Sequence, residues 1–64
     1  MSIKKVNAAY DVNFKRGQKV KFSLGDNIYD AVITSATGHY RIKVKPDYDK
    51  RLRLAFHPLD IIII

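Results

Sequence analysis

Sixty-four residues and 7.4 kDa hold one small domain, and a chain this short buries only about 60% of the surface that unfolding exposes. The lack of cysteine excludes disulfide staples and thiolate zinc sites, and 47% apolar residues argue against disorder. Twelve Lys and Arg against six Asp and no Glu leave +6, which points to a polyanionic partner.

At the start of the chain, Ile3, Val6 and Tyr10 fall at helical spacing behind Ser2, a good N-cap. One or two helical turns therefore fit residues 1–13. An extended arm fits nearly as well, because so short a helix holds in water only when docked. The opening Met-Ser-Ile-Lys-Lys lacks the apolar stretch of a secretory signal, so a cytoplasmic location is expected.

Period-two alternation then dominates. Val20, Phe22 and Leu24 share one side of the first run, with Lys19, Lys21 and Ser23 on the other. Ile28 to Thr34 is apolar on both sides, as a central strand would be, with Tyr29, Ala31 and Ile33 as its inward set. Alternation returns in Tyr40-Arg41-Ile42-Lys43-Val44-Lys45 and in Arg51-Leu52-Arg53-Leu54-Ala55-Phe56. Ile61 to Ile64 is wholly β-branched and forms a last short strand. Four apolar residues are far fewer than the roughly 20 that span a bilayer, so no membrane segment is expected.

Turn-forming residues separate these runs: Gly25-Asp26-Asn27, Ala36-Thr37-Gly38-His39, Pro46 to Lys50, and His57-Pro58-Leu59-Asp60. The predicted class is all-β: five antiparallel strands at residues 18–24, 28–35, 40–46, 51–56 and 61–64, curled into a small barrel. Residues 14–64 form the barrel and 1–13 the N-terminal arm or helical turn. The expected core is Val20, Phe22, Ala31, Ile33, Ile42, Val44, Leu52, Leu54 and Ile61, with Tyr40 and Phe56 also at inward parity.

The order of these signals resembles the SH3-like small barrel, in its Tudor, KOW and retroviral integrase C-terminal-domain branch. The likeness is carried by Phe14-x-x-Gly17-x-x-Val20, Tyr29-x-Ala31-x-Ile33 and Gly38-x-Tyr40-x-Ile42-x-Val44. The one-turn His-Pro-Leu-Asp before the last strand completes it, over roughly residues 14–64. The glycine-rich KOW consensus is absent, so ribosomal-type RNA binding is not implied. Because a fold does not fix a function, the likeness adds only an expectation of binding.

Catalysis is not expected. Without glutamate, acid–base work would fall to six aspartates and two histidines, and Asp26, Asp47, Asp49 and Asp60 occupy turns where aspartate bonds its own backbone. Asp47 and Asp49 fall short of the six to eight oxygens that calcium takes, and His39 and His57 lack paired-ligand spacing. No metal or cofactor is expected. An aromatic cage for methylated cations, as in Tudor domains, would want acidic partners that the basic surface lacks.

The cations carry more. Lys19, Lys21, Arg41, Lys43, Lys45, Arg51 and Arg53 all take outward positions on the first, third and fourth strands, and those strands show no outward anion. Solubility alone explains lysines on a strand face, but it favours both signs interspersed. Tyr48 at the tip of the third hairpin is placed to stack on a base or sugar. The expected function is non-catalytic binding of DNA or RNA phosphates. The rival is a small phage-type or accessory module docking on an acidic surface of a larger nucleic-acid enzyme. In the last strand one barrel can bury only alternate isoleucines. Ile62 and Ile64 would then join a homo-oligomer or be covered by the arm.

Overall fold

The computed structural model describes residues 2–64. Helix α1 spans Ile3–Tyr10, and strands β1 to β5 span Lys19–Leu24, Asn27–Thr37, Arg41–Pro46, Leu54–Phe56 and Ile61–Ile63. All five strands lie in one antiparallel sheet of order β4-β3-β2-β1-β5. Strand β2 is central, as its two-sided apolarity predicts. The edge strands β4 and β5 are joined only by the 3-10 turn Pro58–Asp60. A flat five-stranded sheet would hold its edges about 19 Å apart, and a link of this kind reaches roughly 12 Å. The sheet must therefore curl, although no ladder joins β4 to β5 among the described residues.

The concave side is the core. Val20, Phe22, Ala31, Ile33, Ile42, Val44 and Ile61 are buried there, each at its expected parity. Phe22 is the hub, with the Phe56 ring 4.8 Å away and the Tyr29 ring 5.5 Å away. The β1–β2 hairpin closes through Gly25 and Asp26, with Leu24 opposite Asn27. Gly25 has φ 63°, as the first central residue of a type II′ turn requires, and a side chain there would be torsionally strained.

Of the two readings of the N-terminus, the structure takes the helix. The Ser2 hydroxyl accepts from the Lys5 N–H at 3.3 Å, and Asp11 ends the helix in the left-handed region at φ 54°. Val6 is fully buried, and Ile3 and Tyr10 pack against the core beside it. Docking supplies what a helix of this length cannot supply alone. Asn7 locks it down: its Nδ2 donates to the Phe14 carbonyl and its Oδ1 accepts from the Phe14 N–H, both at 2.9 Å.

Several expectations need correction. The fourth strand starts at Leu54, not at residue 51, because hydrogen-bonded turns occupy the chain before it: Asp49 N–H donates to Pro46 O and Leu52 N–H to Asp49 O. Leu52 thus leaves the core and is 38% exposed, and Leu54 is only half-buried. Tyr40 is not inward. It sits in the β2–β3 connection at φ 58°, after His39 at φ 65°, and its exposed ring meets Tyr10 edge-on at 6.3 Å. Leu24 has inward parity but lies at the open end of its hairpin, where nothing covers it. In the last strand only Ile61 is buried, and Ile63 joins Ile62 and Ile64 in solvent.

Candidate nucleic-acid interface

Strand β3 builds the centre of the convex face. Ile42, Val44 and Pro46 are buried, so the intervening Arg41, Lys43 and Lys45 are turned to the other side. Hydrophobic burial below thus fixes cationic display above. Lys45 pairs with Val32, and Val32 in turn with Lys19 of β1, so two lysines flank one small apolar side chain. Lys43 lies opposite Ser35 on one side and Ala55 on the other, and Arg41 opposite Thr37. Among the described residues, Arg41, Lys43, Lys45 and Lys19 form no ion pair, since the two pairs present use other cations.

The register across β2 depends on a bulge. Pairing steps from Ile33–Val44 to Ser35–Lys43, which leaves Thr34 as the extra residue. Its hydroxyl donates to the Lys43 carbonyl at 3.2 Å. The bulge puts Ser35 and Thr37 on the convex side and turns Ala36 toward the core.

The other expected residues divide. Lys21 is on the convex side, but its Nζ lies 2.6 Å from Asp30 Oδ1, directly across the β1–β2 ladder. Its charge is largely answered. Arg51 and Arg53 are not on a strand, because the turns of residues 46–52 hold that stretch. Arg51 is almost fully exposed and sits 3.8 Å from Asp49. Arg53 folds its Nη1 back onto the carbonyls of Lys50 and Leu52, each at 2.8 Å. Tyr48 is exposed in the β3–β4 connection, and its ring packs at 5.1 Å, tilted by 56°, against Tyr29, which continues inward to Phe22.

An acidic border also emerges. Asp47 N–H donates to the Asp30 carbonyl, so Asp47, Asp30 and Lys21 follow one another across the sheet. The face is therefore graded, with free cations from Arg41 to Lys45 and carboxylates beyond. The alternation that turns Tyr29, Ala31 and Ile33 inward already places Asp30 outward, a signal overlooked by counting anions only on the other strands. A depression of about 220 Å³ opens between Lys19, Asp30, Asp47 and Ile64, and its mixed charges do not suit an anion. No group of three or more His, Asp or Glu suited to a metal occurs among the described residues.

In comparisons with known proteins, no family model, no curated protein and no solved structure matches the chain. Function must be read from the site itself.

Proposed function

We propose that this chain is a non-catalytic module of the SH3-like kind that binds nucleic acid through its phosphates. The observation that supports this most is the β3 row Arg41, Lys43 and Lys45, without an ion pair among the described residues and held outward by the burial of Ile42, Val44 and Pro46. Lys19 extends the row across Val32, and Arg51 and Arg53 follow in the β3–β4 connection. Phosphate contacts of this kind position a protein on nucleic acid but carry little sequence information. The test is a pull-down from cell extract with and without nuclease. Capture of nucleic acid that nuclease abolishes supports the reading. Nuclease-resistant capture of one acidic protein, with no affinity for nucleic acid at low salt, replaces it with the docking module.

Self-association belongs to the other edge of the sheet. Ile62, Ile63 and Ile64 are 38%, 56% and 72% exposed, and among the described residues nothing pairs with the outer side of β5. It carries none of the charges, prolines or bulges that blunt an edge strand. The occupant we propose is a second copy in antiparallel pairing centred on Ile62, which sets Ile61 of each copy against Ile63 of the other. Lys21, next to Ile62, is paired with Asp30, which leaves Lys19 beside Ile64 as the free cation each copy brings toward the seam. Strand β3 stays free. Light scattering should give about twice the 7.4 kDa chain mass for the wild type, and the monomer for Ile62→Lys with Ile64→Lys. A monomeric wild type at high concentration rejects the pairing.

A further inference from the structure

We infer that the face takes the phosphate backbone of a double helix in preference to a single strand, an assignment that rests on the nucleic-acid reading above. Proteins that hold single strands supplement their cations with aromatic rings on which bases stack, worth about 1–3 kcal/mol per base. The side chains interleaved with these cations are Val32, Ser35, Thr37 and Ala55, and none is aromatic.

The chain has seven aromatic residues, yet none sits between the cations on the ladders, and the two most exposed, Tyr40 and Tyr48, lie in the connections before and after β3. Phe14 and Phe22 are buried, and Tyr29 and Phe56 pack on the core. Tyr48 leans on Tyr29, while Tyr10 gathers Tyr40 at 6.3 Å and His57 at 4.8 Å around the helix. An unstacked base lying between the cations of the ladder would therefore meet only small side chains. A duplex keeps its bases stacked within itself and needs no such platform. It also presents one charge per about 1.7 Å of axis, against 3.4 Å for each strand taken alone.

Spacing agrees with this. Outward residues on a strand recur every ~6.7 Å, so Arg41 to Lys45 extends about 13 Å. A convex sheet against a convex rod can engage only a short length of backbone. Lys19, Arg41, Lys43 and Lys45 then correspond to about four phosphates, and the log–log salt slope on a duplex should be about −3.6.

The experiment measures fluorescence anisotropy of wild-type protein with labelled 20-base-pair duplex DNA, duplex RNA and unstructured single-stranded oligothymidine. At one low salt concentration, at least one duplex should bind about tenfold more tightly than the single strand. Changing the duplex sequence should alter affinity less than about twofold. Equal binding of the two duplexes assigns recognition to charge alone, and a preference for one identifies the helical form, both consistent with the assignment. Tighter binding of the single strand overturns the assignment but leaves the nucleic-acid reading standing. Failure to bind any of the three overturns both.

Discussion

Replacing Arg41, Lys43 and Lys45 together by glutamate is expected to abolish duplex binding while the sheet stays folded. With about four phosphates engaged, wild-type affinity should fall about 150-fold between 50 and 200 mM salt. One remaining contact would lower it only about threefold over the same range, and the new glutamates would repel the backbone as well. The three side chains point away from the buried Ile42, Val44 and Pro46, so the substitutions leave the core intact. Circular dichroism and thermal melting of the same variant check this.

Net charge must be separated from location. Reversing Lys4, Lys5 and Lys15, which are also exposed, changes the net charge equally but lies off the β3 row. That control should keep a slope near −3.6, with affinity lowered only by the weaker long-range field. If both triple variants lose binding equally, overall charge and not this face is responsible. Arg53 is unsuited to such a reversal. Its guanidinium holds the carbonyls of Lys50 and Leu52, so its loss would disturb the β3–β4 connection as well as the charge.

How much was legible in advance follows from which physics acts locally. Strand β3, and β1 as far as Phe22, alternate with one face buried, so a register error would expose every core side chain, and the pattern is therefore reliable there. Helix α1 was half-legible. Ser2 and the spacing of Ile3, Val6 and Tyr10 are local signals, but docking is a tertiary fact. The Asn7 clamp on Phe14 was invisible, since nothing in an asparagine ahead of Ala8-Ala9-Tyr10 announces a contact seven residues on.

Alternation misled where turns overrode it. Arg51-Leu52-Arg53 continues the pattern of Leu54-Ala55-Phe56 without a break, yet ladder pairing begins only at Leu54, opposite Val44. The seven residues between Pro46 and Leu54 fold through their own hydrogen bonds: Asp49 Oδ1 accepts from the Arg51 N–H at 3.0 Å, and Arg53 bonds neighbouring carbonyls. The bulge at Thr34 has no signature in a run that is apolar on both sides. The candidate face was legible as a list of cations. Their separation into free, paired and back-folded groups was not, because cross-strand partners such as Asp30 appear only once the register is known.

Asn7→Ala should be the most damaging single polar substitution in the chain, costing about 2–4 kcal/mol. The amide closes two hydrogen bonds with the backbone of Phe14 in a half-buried setting, and alanine leaves that N–H and that carbonyl unpaired. Each lost partner costs about 1–3 kcal/mol, with the lower end apt where water can reach. The clamp also joins the two elements that bury Val6 and Phe14, at 0% and 2% exposure, so loosening it exposes apolar surface next to the sheet. A domain of this size has only about 3–10 kcal/mol in total. Thermal unfolding should accordingly drop by roughly 15 °C, at 4–8 °C per kcal/mol. Ala9→Gln, exposed on the same helix, should stay within about 0.5 kcal/mol of wild type. If Asn7→Ala melts at the wild-type temperature, then α1 is not part of the cooperative unit. The sheet would then have to hold Phe14 and its own core without the helix.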